Sequence, residues 1–168
     1  GVTIRELREP DAEAYAALRR EALLDAPLAF ASSPGDDFAA SPEAVREHLR
    51  QAPSSVILGA FQPHLIGVIG LFRDRHVKAS HKAHIWGLYV VPGHRGQGIA
   101  AGLLEEALRH ARSLGVEWVH LGVTTAAPTA WRLYERAGFE VWGIEPEALR
   151  YEGQAVDEAH MALRLGPG

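Results

Sequence analysis

Apolar and polar residues alternate along Val2–Arg8 (VTIRELR), the period of a strand with one buried face. Pro10 stops that pattern, and Asp11 is placed to cap a helix through about Leu24, with Ala14, Tyr15, Leu18 and Ala22 on its apolar face. Asp25–Asp37, with two prolines and a glycine, reads as a loop. Its Phe30 and the following Phe38 are apolar residues in polar company: anchors beneath the loop, or else the wall of a cleft. Ser41-Pro42 opens a second helix to about Gln51, with a capping hydroxyl followed by a proline at the first helical position. Ser55–Phe61 and Leu65–Phe72, joined by Gln62-Pro63-His64, form a hairpin. The polar, basic stretch Arg73–Lys82 is its solvated continuation into the next strand.

His84–Val91 is that strand. Strict alternation puts Ile85, Gly87, Tyr89 and Val91 on one side and His84, Trp86, Leu88 and Val90 on the other. Both sets are largely apolar, so both faces should be covered. From Gly98 to about Leu114 the spacing changes to three and four, with Ala100, Leu103, Leu104, Ala107, Ala111 and Leu114 on the buried stripe and Gly115 as the stop. Val116–Val123 is a further strand, and Pro128–Ala137 a further helix closed by Gly138. Phe139–Gly143 begins a strand, Glu145–Gly153 is a turn-rich excursion, and Gln154–Leu165 closes the sheet. The order of elements is mixed α/β with hairpins at both ends, which predicts a mixed sheet in a single domain over residues 1–168.

Composition narrows the function. A net charge of −4 argues against general nucleic-acid binding, and neither a helix-turn-helix nor a basic recognition helix is present. The chain has no cysteine, which removes disulfides, zinc–thiolate sites and thiol nucleophiles and suits the cytoplasm. No apolar run approaches the length of a membrane span, and none reads as a signal peptide.

The stretch Ala83–Leu104 concentrates the chemistry. A strand runs into a loop, GHRGQG, that feeds directly into a helix. A helix start leaves backbone N–H groups without partners and carries the positive end of the dipole, so it holds phosphates. Gly96 and Gly98 leave the backbone bare for close approach, and Arg95 adds a charged donor fork.

Arg95–Ala100 (RGQGIA) resembles the (Gln/Arg)-x-x-Gly-x-(Gly/Ala) motif of the GNAT superfamily of N-acetyltransferases. Ala130–Gly143 (AWRLYERAGFEVWG) is similar to that family's closing helix and strand, and with the opening IRELREPDAEAYAALR the likeness spans nearly the whole chain. The resemblance implies a mostly antiparallel sheet of about seven strands flanked by about four helices. It implies acetyl-CoA as acetyl donor, with its pyrophosphate on Arg95, Gly96, Gln97, Gly98, Ile99 and Ala100. It further implies that the strand before the loop splays from its neighbour, so that backbone groups of Leu88, Tyr89 and Val90 hold the pantetheine arm and the acetyl carbonyl. Tyr134 falls where the family often has a tyrosine near the coenzyme sulfur, as acid for the departing thiolate; the pattern alone reads it as a buried aromatic on an amphipathic helix. The acceptor is an amine of a small molecule or a peptide N-terminus, near the first two helices and the Gly143–Gly153 turn. Family members often dimerise, although no segment here predicts an interface.

Two positions depart from the family. Ala127 stands where many relatives have an asparagine that touches the coenzyme. Where many have a glutamate that deprotonates the amine, this chain has His84 and Trp86. Imidazole titrates near neutrality, so His84 can serve as base, or else it is a half-buried histidine at a strand entrance. Of the nine histidines, His76, His81 and His84 lack metal-ligand spacing, so no metal is expected. His120 reads as a hydrogen-bonded core histidine. Trp118, Trp131 and Trp142 read as packing residues, and Trp86 as packing or as acceptor-pocket lining. Two other functions compete with catalysis. Gly96-x-Gly98-x-x-Ala101 also fits a dinucleotide fingerprint, opposed by its place late in the sheet and by the lack of an acidic residue ending the next strand. A non-catalytic acyl-CoA sensor is the other.

Overall fold

A computed structural model describes residues 1–166. Seven strands form one sheet in the order β1-β2-β3-β4-β5-β7-β6. They are β1 (Thr3–Glu6), β2 (Ser55–Phe61), β3 (Leu65–Arg73), β4 (Lys82–Val90), β5 (Trp118–Thr124), β6 (Glu140–Tyr151) and β7 (Gln154–Arg164). Four α-helices accompany them: α1 (Ala12–Asp25), α2 (Pro42–Leu49), α3 (Ile99–Ser113) and α4 (Pro128–Arg136). Every pairing is antiparallel except β4 with β5. The expected mixed, mostly antiparallel sheet with flanking helices is what the chain forms.

The two faces bury different cores. One packs α3 and α4 against Ile69, Ile85, Val119 and Met161; the other packs α1 and α2 against Ile57, Val68 and Tyr89. The α2 start follows from its sequence: Ser41 accepts from the Ala44 amide at 3.2 Å, with Pro42 at the first helical position. On α3 the buried stripe is Ile99, Leu103, Leu104, Ala107, Leu108 and Ala111, whereas Ala100 and Leu114 are only half-buried. The helix is therefore rotated slightly from the expected stripe, toward the larger Ile99 and Leu108.

Two expectations are corrected. Strict alternation along β4 fails. Val68 of β3 faces Tyr89 and Gly70 faces Trp86, so both Gly87 and Leu88 oppose the single residue Ile69. Gly87 has φ +66°, a value that favours glycine, and the extra residue is a β-bulge. The bulge reverses the parity beyond it: Trp86 and Tyr89 share the α1 face, while Ile85 and Val90 share the α3 face. The second correction is β6, which continues to Tyr151. Glu145–Tyr151 is strand with an irregularity between Glu145 and Leu149, and only Glu152-Gly153 make the turn. Turn-forming residues there are overridden by pairing with β7. Among the described residues no helix is long and apolar enough to cross a membrane.

Candidate active site

The loop between β4 and α3 is built as its glycines predict. Gly96 and Gly98 both have φ +78°, and a Cβ at either would meet nothing within 4 Å, so the turn is open to an incoming group. The amides of Gly96, Gln97, Gly98, Ile99, Ala100 and Ala101 find no acceptor among the described residues, and the first helical bond is Gly102 N to Gly98 O at 3.0 Å. Six adjacent N–H groups at a helix mouth are the donor set a diphosphate requires. Arg95 is less free than its sequence position suggests. Its Nε donates to the Val90 carbonyl at 2.9 Å, and its guanidinium lies 3.3 Å from Asp25 Oδ2, a carboxylate that also accepts from the Tyr89 hydroxyl at 3.0 Å. Arg95 braces the loop against β4 and α1, and half of its side chain remains exposed toward solvent.

Parallel pairing of β4 with β5 covers only Lys82, Ala83 and His84 against Trp118, Val119 and His120. Beyond that point the strands part. The stretch Ile85–Val90 has no β5 partner, and the bulge at Gly87-Leu88 lies within it. Peptide groups on that edge must be satisfied by something outside the sheet. Leu88, Tyr89 and Val90 lie on this unpaired edge, and the Val90 carbonyl is already taken by Arg95.

The α1 side of the split opens into a cavity of about 440 Å³. Its floor is β4, β5 and β7; its walls are Arg19 of α1, the segment 29–32, and Trp142 of β6. Trp86 lines it, in edge contact with Phe38 at 5.3 Å between ring centroids. His84 stacks on Phe72 at 4.8 Å, and its Nε2 bonds Asp74 Oδ2 at 2.7 Å. Burial pushes the Asp74 pKa up, but the hydrogen bond and charge of His84, helped by Lys82, more than offset this and hold it below the usual carboxylate range. An ionised carboxylate only accepts, so Nε2 is the nitrogen that donates to Asp74, and the neutral tautomer with that proton has its lone pair on Nδ1. His120 is not a hydrogen-bonded core residue: it is half-buried, borders the cavity and tilts against His84 at 5.8 Å. Burial, with the neighbouring His84 and Lys82, lowers its pKa.

Tyr134 is 5% exposed and packs edge-on to Phe139 at 5.9 Å. Its hydroxyl makes no hydrogen bond among the described residues, and burial pushes its pKa up, so the phenol stays protonated. Ala127 stands at the start of α4 without a side-chain cap, as its sequence implies. Trp118 and Trp131 are half-buried, whereas Trp142, expected to pack, is 65% exposed beside the His160 ring.

Several site residues escape sequence reading. Asp74 lies in the stretch read as a solvated turn. Arg19 and Asp37 form a buried pair with two bonds of 2.9 and 3.1 Å. Glu158 and His160 of β7 face the cavity while Ala159 and Met161 enter the core. The period-2 pattern of β7 was a signal for the last two: two polar residues two apart, interleaved with buried ones.

The sequence model of the acetyltransferase (GNAT) family matches residues 15–139. The chain belongs to that family. It is 43% identical over 61 residues to a mycothiol acetyltransferase of Nocardiopsis dassonvillei, a match covering 34% of this chain and 18% of the relative. It is 31% identical over 99 residues to an uncharacterised N-acetyltransferase of Mycobacterium bovis, covering 58% of this chain and 60% of the relative. The chain thus spans less than two thirds of these curated relatives. In fold it is similar to an acetyltransferase of Salmonella typhimurium described with its cofactor acetyl-CoA, at TM-score 0.86 and 21% identity over 100% of this chain and 96% of that one.

Proposed function

We propose that the protein moves the acetyl group of acetyl-CoA to the nitrogen of an amine, by direct attack while both substrates are bound. The observation that carries this reading is the parting of β4 and β5 after His84 and His120, next to six free amides at the mouth of α3. The amides of residues 96–101, with Arg95 alongside, bind the diphosphate. Backbone groups of Leu88 and Tyr89 on the unpaired edge hold the pantetheine arm, and an N–H there stabilises charge developing on the thioester oxygen. The cavity on the α1 side takes the acceptor. The absence of cysteine supports direct attack over a thiol-borne acyl enzyme.

The chemistry then needs two proton steps. The amine nitrogen forms the C–N bond as the C–S bond breaks. His84 Nδ1 takes the surplus proton from nitrogen, with Asp74 fixing the ring. Tyr134, buried and protonated, gives its proton to the leaving thiolate and regains one from solvent.

Coenzyme release measured over a mixed library of amines tests the reading. Tyr134→Phe should lower kcat by about 100-fold, the usual worth of a positioned acid, with acetyl-CoA affinity and melting temperature unchanged. Unchanged kcat returns Tyr134 to a packing role. Acetyl-CoA binding without transfer to any amine makes the protein an acyl-CoA sensor. Binding of NAD in place of acetyl-CoA overturns the whole assignment.

A further inference from the structure

The polar groups that reach the acceptor cavity are not balanced in charge. Arg19 is the cation on its wall, and its charge is matched by a buried carboxylate. Nε and Nη2 bond both oxygens of Asp37, at 3.1 and 2.9 Å, and the guanidinium carbon lies 5.2 to 5.6 Å from the ring centres of Phe30, Phe38 and Trp86. Asp74 is matched by His84 and, at 3.8 Å, by Lys82. On the β6–β7 side, Glu158 and Glu145 have no lysine or arginine partner among the described residues. They share one imidazole, His160 Nε2, at 3.6 and 2.9 Å.

Glu158 is also specifically accommodated. Its carboxyl group lies flat over Gly122 of β5, where a Cβ would come within 2.8 Å of the Glu158 carboxyl carbon. Gly122 is the second residue past the last β4–β5 pair, so this carboxylate overhangs the split strands themselves. Burial, with the nearby Glu145, pushes the Glu158 pKa up against the pull of His160. The same cavity is lined by the rings of Trp86, Trp142, Phe72 and Phe30. A carboxylate without a lysine or arginine partner, in a cavity walled by aromatic rings, is a receptor for an ammonium group.

Resting on the acetyl-transfer reading, we propose that the acceptor is an amine without a nearby carboxylate, an arylalkyl- or alkylammonium whose cation is docked by Glu158 over Gly122, and that free amino acids are rejected there. An α-carboxylate brought beside that ammonium would meet Glu158 and Glu145, and the charge of the guanidinium that could answer it is already matched by Asp37. Like charges brought together in a partly dry cavity disfavour binding strongly.

The test uses matched pairs that differ only in the carboxylate: tryptamine against tryptophan, and phenethylamine against phenylalanine. At pH 7.5 the carboxylate-free member should have kcat/KM at least 10-fold higher. Glu158→Gln should erase most of that gap through KM, with kcat for the better substrate changed less than about threefold. Gly122→Ala leaves the carboxylate in the chain but displaces it, and should narrow the gap in the same way. Because the atom displaced is the end of a flexible side chain, this variant folds normally. Acetyl-CoA affinity, measured by calorimetry in each variant, separates the two layers of the argument. Loss of coenzyme binding in the unaltered protein sinks the acetyl-transfer reading. Retained coenzyme binding with preference for the amino acids, with turnover of neither pair, or with a gap that survives Glu158→Gln sinks the docking role alone. Loss of activity in EDTA restored by zinc would make Glu145, Glu158 and His160 metal ligands and equally overturn it.

Discussion

Glu158 lines the cavity, Asp37 stands behind its wall bonded to Arg19, and the two carboxylates differ in every electrostatic respect. Asp37 is 3% exposed in its side chain, accepts two bonds from Arg19, and takes a third from Ser32 Oγ at 2.6 Å and a fourth from the Ala39 amide at 3.2 Å. Burial acts to raise its pKa, but these donors outweigh it and hold the group below the ordinary carboxylate range. Glu158 has only the shared imidazole, and its pKa is raised. A saturated carboxylate holds the segment after α1 against that helix; an unsaturated one, half-buried at a strand split, has capacity left for a ligand. The difference separates a structural charge from a site charge without reference to either residue's identity.

Arg19→Met should give the largest effect. It strands Asp37 as an uncompensated buried charge, at a cost of about 3–5 kcal/mol in denaturant-measured stability. A loss below about 1 kcal/mol would mean the pair is not the brace described. Acid titration should give the next largest. The depressed Asp37 pKa contributes stability that is fully present above the unfolded carboxylate pKa, roughly 4, and is lost as pH falls through the lower folded value. The stability gap between the unaltered protein and Asp37→Asn should therefore be wide at pH 7 and close below the ordinary carboxylate range. Glu158 has the opposite sign. A raised folded pKa contributes stability below the unfolded value that disappears as pH rises through the folded one. Glu158→Gln should accordingly change stability at pH 7 by no more than about 0.5 kcal/mol, in the stabilising direction, while altering acceptor choice. Destabilisation by Glu158→Gln comparable to Arg19→Met would erase the distinction between the two carboxylates.

Local pattern identified most of the frame. The strand–glycine–helix passage, the Ser41-Pro42 helix start and the β2–β3 hairpin all stand where their own residues put them, because each is fixed by neighbours a few positions away. The loop amides of 96–101 were legible for the same reason: glycine and a helix start leave donors free whatever surrounds them. The failures share a cause as well. The face reversal of β4 depends on how many residues of β3 oppose it, a count no single strand contains. The continuation of β6 through Glu145–Tyr151 depends on β7 supplying partners from across the turn. His120 and Trp142 read as core residues from their apolar company in sequence, yet the parting of β4 from β5 and the edge position of β6 leave them at the cavity.

The sequence by itself therefore determined the family, the order of elements and a loop with free backbone amides at a helix start, since these follow from periodicity, helix starts and backbone freedom within short spans. Only the tertiary structure decided which charges meet. Asp37 finds Arg19 eighteen residues away, Asp74 finds His84 across a turn, and Glu158 finds the notch at Gly122 on the neighbouring strand. Whether a carboxylate is spent or available depends on those distances, because screening and desolvation act through space and not along the chain.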